Sequence, residues 1–243
     1  MRSIRVHVDS ELAAGMEIAL PQAQSHYLKH VLRLQPGAAF FLFNGREAVD
    51  YAATLTADGK RLGASIESAQ ALENESPLQS QLLQSLGRAD HMDWMIQKTT
   101  ELGVNRISLF PTERTQTPIK PAQLDKKLAH WRGVAISACE QCGRAVVPAI
   151  QYHANLDHAI ADCESELRLL LEFSGKPLTS ALERPQSSVS ILLGPEGGLN
   201  TAEVQAAEAK HFIPVTLGPR TLRTETAATS SLAITQAVLG DLG

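Results

Sequence analysis

The sequence predicts an α/β protein with a mainly parallel sheet, preceded by a small domain of short strands. From Ser80 onward, short apolar runs alternate with helical segments, which is typical of parallel α/β folds. Residues 1 to about 70 instead hold brief β-prone segments separated by turn signals such as Asn44-Gly45 and Asp58-Gly59. Many short strands in so small a space predict a compact barrel. A polar, linker-like stretch from Ala69 to Gln79 lies between the two parts, and we predict domains at residues 1–72 and 73–243.

The N-terminal domain is expected to contain five strands and one helix. The helix, Gln22 to Leu34, carries a basic stripe on one side. That stripe comprises His26, Lys29, His30 and Arg33. It is interpreted either as a solvated helix face or as a phosphate-contacting surface, helped by Arg2 and Arg5. A zinc site at the two histidines lacks further ligands. The predicted strands are Ile4 to Val8, Glu17 to Leu20, Ala38 to Phe43, Val49 to Leu55 and Arg61 to Ser68.

The second domain is predicted to alternate strands with helices. Asp90 is the expected N-cap of its first helix, and Gly103 follows that helix. Asn200 with Glu203 three residues later predicts a capping box. The predicted strands are Ser80 to Leu86, Val104 to Phe110, Leu167 to Phe173, Ser188 to Leu193 and Phe212 to Leu217; the helices are Asp90 to Leu102, Gln123 to Cys139, Thr201 to Lys210 and Thr224 to Leu239.

Composition excludes several classes of protein. Among 243 residues, 44% are hydrophobic and 20% are charged, which is ordinary for a globular protein. The net charge of −4 argues against non-specific wrapping of nucleic acid, although a local basic patch remains compatible with it. No apolar run is long enough for a membrane span and the N-terminus lacks a signal peptide's apolar core, so a cytoplasmic location is expected.

The cysteines predict neither a disulfide framework nor a metal site. Cys139, Cys142 and Cys163 are few and odd in number. The Cys139-Glu-Gln-Cys142 motif lacks a second ligand pair, and it lies at the C-terminal end of a helix, where the helix dipole disfavours a thiolate. Packed thiols are therefore the expected interpretation, and no metal is predicted.

Two glycine-rich loops follow predicted strands, where ligands gather in parallel sheets. They are Gly194-Pro-Glu-Gly-Gly198 and the segment from Leu217 to Ala227. Phosphate-binding motifs of the P-loop and Rossmann types are absent, and Glu196 would repel a phosphate. A carboxylate tolerates a cationic sulfonium, so the loops favour S-adenosylmethionine over a nucleotide phosphate. Arg220, Arg223 and Glu225 cluster beside the second loop, and a site role is preferred to a solvated turn.

At these loops the sequence resembles the RsmE family of 16S rRNA (uracil-N3)-methyltransferases, in the SPOUT superfamily. The matching segments run in the family's order along essentially the whole chain. They are His30-Val-Leu-Arg-Leu34, Gln97-Lys-Thr-Thr-Glu-Leu-Gly-Val104, Glu140-Gln-Cys-Gly-Arg144 with Val147-Pro148, Leu193-Gly-Pro-Glu-Gly-Gly-Leu199 and Leu217-Gly-Pro-Arg-Thr-Leu-Arg-Thr-Glu-Thr-Ala227.

The resemblance implies a PUA-like N-terminal barrel that binds RNA and a SPOUT-type domain with a C-terminal deep trefoil knot. It implies a homodimer with its active site near the subunit interface, and methylation of N3 of one uridine in 16S rRNA of the small ribosomal subunit. The implied S-adenosylmethionine contacts are Leu171, Gly194, Gly197, Gly198, Leu217, Gly218 and Leu222. The implied RNA contacts are Arg2, Arg5, His26, Lys29 and Arg33, extended by Arg114 and Arg144.

Methylation at N3 requires loss of the imide proton. Our hypothesis is that Arg223 stabilises the developing uracil anion. Glu225 either assists deprotonation or holds Arg223, and a purely structural role at the start of the last helix is equally compatible with the sequence. Two rival functions remain: ribose 2′-O methylation, and a non-catalytic RNA-binding assembly factor that has lost the cofactor.

Overall fold

Residues 4–59, 61–183 and 185–243 are described by the computed structural model of the protein, and they divide into two units. The first unit comprises Met1–Glu75 with Ile136–Val147, and the second comprises Ser76–Ala135 with Pro148–Gly243. The domain boundary between residues 72 and 73 stays a prediction. The first unit also includes residues 136–147, which a division of the chain at one point would not assign to it. Arg2 lies outside the described residues.

The first unit contains a five-stranded sheet whose segments match the five predicted strands. The strand order is β1-β3-β4-β5-β2, in which β1 and β3 are parallel and the other pairs are antiparallel. One apolar core collects side chains from all five strands, among them Val6, Ile18, Phe40, Leu55 and Ile66. The strands are β1 (Arg5–His7), β2 (Glu17–Ala19), β3 (Ala39–Phe43), β4 (Val49–Asp58) and β5 (Arg61–Ala71).

The prediction of one regular α-helix from Gln22 to Leu34 is wrong. Helix α1 spans only Gln22–His26 and continues as a π-helical turn, Tyr27–Val31, in which the Leu32 amide donates to the Tyr27 carbonyl at 3.0 Å. Arg33 then adopts a left-handed conformation with φ 55°, which ends the helix. The wider π-helical turn and this reversal break the simple i, i+3, i+4, i+7 stripe.

The second unit contains a six-stranded sheet in which every pairing is parallel, as predicted. The order is β11-β9-β10-β6-β7-β8. Strand β8 and helix α4 were not expected from the sequence. The strands are β6 (Gln79–Ser85), β7 (Arg106–Phe110), β8 (Ala149–Tyr152), β9 (Leu167–Pro177), β10 (Ser188–Leu193) and β11 (Ile213–Thr216). The helices are α2 (Ala89–Glu101), α3 (Leu124–Cys142), α4 (Leu156–Ala161), α5 (Thr201–Ala209) and α6 (Thr224–Leu239), with 3₁₀ turns at Pro121–Gln123 and Leu178–Ala181.

Helices cover both faces of this sheet. Consecutive residues of β10, from Val189 to Leu193, are all buried, which requires cover above and below. On one face, Leu192 packs in a cluster with α4 and α5, and on the other α6 contacts β10 and α2. The loops that follow the strands therefore project from a rigid, closed layer.

The ends of two helices test the predicted caps. The capping box of α5 is confirmed, since the Asn200 side chain accepts from the Glu203 amide and the Glu203 carboxylate accepts from the Asn200 amide, both at 2.8 Å. Asp90 as the N-cap of α2 is wrong. The N-cap is Arg88, whose side chain makes no capping hydrogen bond. Asp90 lies in the first turn, where the positive end of the helix dipole stabilises its carboxylate.

Within the described part of the chain, no helix combines the length and the apolar character that crossing a membrane requires.

Candidate active site

Four loops meet at one edge of the parallel sheet, because the carboxyl ends of parallel strands lie together. They follow β6, β7, β10 and β11, and they comprise residues 86–88, 111–120, 194–200 and 217–223. The two glycine loops predicted from the sequence are the third and fourth of these. The loop after β6 lies beside the first glycine loop, since a Cβ on Gly87 would stand 3.1 Å from Glu196 Oε1.

The first glycine loop needs its glycines for different reasons. A Cβ on Gly194 would lie 2.9 Å from the amide nitrogen of Leu199, so the loop closes on itself without room for a side chain. Gly198 has φ +69°, in the left-handed region. Gly197 lies against Arg114, whose side chain stands 3.4 Å from the position of a Cβ. This tight turn presents backbone groups at the sheet edge.

The loop after β7 braces the first glycine loop, and we call residues 111–117 the bracing loop. Arg114 Nη1 donates to the carbonyls of Gly197, at 2.9 Å, and Leu199, at 3.3 Å. The Glu113 amide donates to Glu203 Oε1 at 3.0 Å, and the Asn200 side-chain amide donates to Glu113 Oε2. Glycine loop, bracing loop and helix α5 are thereby joined in one hydrogen-bonded network.

The second glycine loop leads directly into α6. Gly218 has φ +99° and is exposed, while Leu217 and Leu222 are half-buried. Arg223 is the exposed N-cap residue of α6, and Glu225 lies in the first turn. The Glu225 side chain is only 12% exposed, and its Oε2 is buried without a hydrogen-bond partner among the described residues. Sequence reasoning placed Arg223 and Glu225 together, and they do lie at one helix start.

Leu171 lies where strand β9 loses its regular pairing. Leu170 pairs with both Leu192 of β10 and Pro214 of β11, but the next β11 residue, Val215, pairs with Lys176. The intervening residues of β9 bulge out of the ladder. Leu171 is half-buried at the start of this bulge. Leu171 therefore follows the segment of β9 that pairs with both β10 and β11, and the pairing with β11 resumes at Lys176.

Sequence reasoning missed several polar groups at this edge. Gln84 of β6 is 1% exposed and its Oε1 has no partner among the described residues. His91 of α2 lies 3.7 Å from Glu196 and 3.5 Å from Glu225. Ser85 shares hydroxyl contacts of 3.4 Å with Thr112 and Thr115. Nothing in the sequence singles out Gln84, because five of the seven residues of β6 are polar.

The structure argues against two of the predicted RNA contacts. Arg5 is 8% exposed: its Nε donates to Asp50 at 2.9 Å, and its Nη1 donates to the carbonyls of Cys139 and Arg144. Arg144 is 4% exposed and its Nη2 donates to Glu75 at 2.7 Å. Buried charges of this kind are held by their partners. Both guanidinium groups are buried and bonded within the first unit, which leaves them little surface for RNA.

Apart from Arg2, which lies outside the described residues, the other predicted RNA contacts lie on the surface. His26, Lys29 and Arg33 are exposed, and the rings of His26 and His30 lie 4.8 Å apart. Arg114 is exposed as a residue, but its guanidinium is bonded to the first glycine loop. The predicted RNA-contacting surface of the first unit is therefore narrower, because Arg5 and Arg144 are buried. The part that is exposed comprises His26, Lys29, His30 and Arg33, and we call it the basic turn.

The cysteines behave as packed thiols. Cys139 is fully buried against Phe43 and Ala145, and burial raises the pKa of its thiol to about 12. A thiol with such a pKa is neither a nucleophile nor a ready metal ligand at neutral pH. The interpretation of the Cys139–Cys142 motif as structural is confirmed for Cys139.

Comparison with known proteins identifies two family regions in the chain. Residues 74–236 match the family described as RNA methyltransferase domain, and residues 20–62 match the family described as RNA methyltransferase PUA domain. The first match contains both glycine loops and Glu225, and the second contains the basic turn.

Curated relatives and solved structures agree with these matches. The ribosomal RNA small subunit methyltransferase E of Buchnera aphidicola subsp. Schizaphis graminum is 31% identical, covering 98% of this chain and 97% of that protein. A crystal structure of the enzyme of that name from Neisseria gonorrhoeae, bound to S-adenosyl methionine, is 34% identical with a TM-score of 0.91 over 100% of both chains. A Legionella pneumophila putative methyltransferase with bound SAM is 33% identical, with a TM-score of 0.93 over 100% of both chains. The chain therefore belongs to the ribosomal RNA small subunit methyltransferase E family.

Proposed function

We propose that the protein methylates N3 of one uridine in the 16S rRNA of the small ribosomal subunit, using S-adenosylmethionine. The observation that carries this proposal is the pair of glycine loops at one sheet edge, next to buried polar atoms that lack hydrogen-bond partners among the described residues. A relative matched over nearly the full chain is named for small-subunit rRNA methylation, and solved relatives are bound to the same methyl donor.

The residues at the edge fit S-adenosylmethionine. The partnerless Gln84 Oε1 offers a buried acceptor, and exposed backbone in both loops offers donors and acceptors for an uncharged adenosine. The nearby Glu196 and Glu225 carboxylates suit a cationic sulfonium and oppose a phosphate. When bound, S-adenosylmethionine supplies an electrophilic methyl group. We assign its binding to Leu171, Gly194, Gly197, Gly198, Leu217, Gly218 and Leu222.

The protein's own contribution to the reaction is orientation and charge. Aligning two bound reactants removes a large part of a bimolecular barrier, and rigid loops on a closed sheet provide that alignment. Arg223, exposed at the start of α6, is assigned to stabilise the negative charge that develops on uracil as the N3 proton leaves. Glu225, two residues further, is assigned to assist deprotonation or to hold Arg223.

The basic turn is proposed as an RNA-contacting surface. His26, Lys29 and Arg33 are exposed and lie within the region that matches the PUA family. Arg2 belongs to the same proposal from its sequence position alone. Phosphate contacts by such residues make affinity fall with salt, so a charge-neutralising variant should flatten the salt dependence of RNA binding.

A C-terminal deep trefoil knot is proposed as the finer topology. It is supported by the path of the chain: after edge strand β11, helix α6 contacts β10 and α2, on the far side of β9. Pulling the termini apart in a single-molecule experiment should leave a chain shorter than its full contour length. Complete extension would exclude the knot.

A homodimer in the cytoplasm is proposed from the family resemblance and from the ribosomal substrate. Sedimentation equilibrium across a concentration series tests the dimer, and a mass equal to one chain at all concentrations would refute it. The proposed domain boundary at residues 72/73 is tested by expressing residues 73–243 and measuring cooperative unfolding.

One experiment tests the function itself. Unmodified small-subunit particles and free 16S rRNA are incubated with labelled S-adenosylmethionine, and the product nucleosides are identified by mass spectrometry. We expect 3-methyluridine. A 2′-O-methyl nucleoside would instead indicate ribose methylation, and calorimetry without any S-adenosylmethionine binding would indicate a non-catalytic RNA-binding protein.

A further inference from the structure

His91 of α2 stands between carboxylates from two different loops. Its Nδ1 lies 3.7 Å from Glu196 Oε1, in the first glycine loop, and 3.5 Å from Glu225 Oε2, in the first turn of α6. The His91 side chain is 20% exposed, so the contact is mostly shielded from water. One imidazole therefore touches both segments to which the methyl-transfer site is assigned.

The atoms that face each other here are buried. Nδ1 of His91 and Oε2 of Glu225 have almost no accessible surface, and neither has a hydrogen bond within the described residues. The distances of 3.5 and 3.7 Å are those of an ionic contact rather than of a well-formed hydrogen bond. The attraction therefore depends chiefly on charge.

Two other charged side chains lie near the His91 ring, Asp90 and Arg88. Asp90 Oδ2 lies 3.8 Å from the opposite ring nitrogen, Nε2, and Arg88 pairs with Asp90 at 3.6 Å. Both of these side chains are about two-thirds exposed, so water weakens their effect. Glu196 and Glu225 are less exposed, at 31% and 12%, and they dominate the environment of the imidazole.

We propose that His91 is a positioning residue for methyl transfer, and that it acts in its protonated form. An imidazolium at this point attracts both carboxylates and holds the first glycine loop against the start of α6. Without that charge, Glu196 and Glu225 repel each other across a shielded space, and the two segments separate. The proposal rests on the proposed function, because it concerns the same site.

The test compares variants that keep or remove the charge. His91→Lys keeps a cation, and His91→Gln keeps a hydrogen-bond donor without a charge. His130→Gln is the matched control, since His130 forms an exposed pair with Asp93 at 2.8 Å in the same unit. Steady-state kcat and KM for S-adenosylmethionine and the melting temperature are measured for each.

We expect His91→Gln to lower kcat/KM for S-adenosylmethionine roughly 10- to 100-fold, as loss of a supporting group behind a site residue does. His91→Lys should retain most of the activity, and His130→Gln should retain all of it. The double variant His91→Gln with Glu196→Gln should lose less kcat/KM than the two single losses predict when combined, because the two residues act as a pair.

The pH profile supplies a readout that a merely structural role would not move. Imidazole loses its charge in the neutral range, whereas lysine stays charged. The ratio of wild-type to His91→Lys activity should therefore fall as the pH rises. Taking the ratio cancels the ionisation of uracil, which affects both proteins. If His91→Gln fails to fold, this ratio decides the question.

Two outcomes would overturn the proposal while leaving the function intact: activity of His91→Gln equal to wild type, or a ratio that is flat with pH. Losses in both His91 variants that simply follow their melting temperatures would overturn it as well. Failure of the proposed function looks different, because the wild-type protein itself would then form no methylated product.

Discussion

Both units of the protein bury polar or charged side chains, but they do so in opposite ways. In the first unit, Arg5 and Arg144 are each matched with a carboxylate, Asp50 and Glu75, and Arg5 also donates to backbone carbonyls. At the sheet edge of the second unit, Gln84, His91 and Glu225 keep buried atoms without hydrogen bonds in the described chain.

This difference distinguishes buried polar groups that stabilise the fold from buried polar groups that are available to a ligand. A buried charge with all its bonds satisfied stabilises one conformation and has little left to offer a ligand. A buried polar atom without a partner costs stability, so its presence indicates that something else supplies the bond. By this criterion, Arg5 and Arg144 belong to the scaffold, and the unpartnered atoms of Gln84, His91 and Glu225 support the site proposed at the glycine loops.

The largest expected effect breaks the scaffold. Asp50→Ala leaves the Arg5 guanidinium buried without its carboxylate, which costs about 3–5 kcal/mol of unfolding free energy. Urea unfolding measures the loss. Arg46, exposed and paired with Asp9, provides the control, and Arg46→Ala should cost less than about 1 kcal/mol. Equal losses in the two variants would contradict the assignment of Arg5 to the scaffold.

Arg223→Ala tests the site on the other side of the comparison. Loss of a charge-stabilising donor lowers kcat by roughly 100- to 1000-fold, with little change in melting temperature, because the side chain is exposed. Arg132, an exposed arginine on helix α3 outside the proposed site, is the control and should tolerate alanine. Turnover of Arg223→Ala at the wild-type rate would remove Arg223 from the mechanism.

Gly194→Ala addresses the geometry of the first glycine loop. The new Cβ would lie 2.9 Å from the Leu199 amide nitrogen, so backbone must move. A displacement of this size is expected to weaken S-adenosylmethionine binding about 100-fold in calorimetry. Gly133→Ala, on α3 with open space around its Cβ position, should bind normally and be slightly more stable. Normal binding by Gly194→Ala would show that the loop does not shape the pocket.

The smallest expected effect concerns the partly buried carboxyl group of Glu140, in the first unit. Burial raises the pKa of Glu140, although the His7 amide donates to it at 3.1 Å. Because the folded state then holds this proton more tightly than the unfolded state, stability falls as pH rises through the ordinary value of 4.5 and then the raised one. Glu140→Gln should remove that part of the pH dependence and be slightly more stable at pH 7. Unfolding curves identical to wild type from about pH 4 to pH 7 would contradict it.

Local patterns in the sequence predicted much of the fold. Strand β10 and helix α6 have the predicted bounds, because an apolar run ends at a glycine loop in one and a glycine loop leads into a helix in the other. Strand β8 was missed because it lies at the sheet edge and half of its residues are exposed. The π-helical turn was missed because hydrophobic periodicity does not distinguish it from an α-helical turn.

The candidate site was predictable only in part, for a reason of distance along the chain. The glycine loops are contiguous and could be found by their motifs. Arg5 resembled a surface arginine because its carboxylate partner lies 45 residues away and one of its carbonyl partners 134 residues away. His91 was missed for the same reason, because Glu196 and Glu225 lie far from it in the sequence.

The network around the bracing loop has a consequence for evolution. The Asn200 side-chain amide donates to the Glu113 carboxylate, and the backbone amides of Glu113 and Glu203 donate to the side chains of Glu203 and Asn200. Replacing any of these three side chains leaves at least one neighbouring donor or acceptor without its partner. Across the family, these three positions should therefore change together rather than independently, and their joint substitution records how closely each lineage has kept the shape of the first glycine loop.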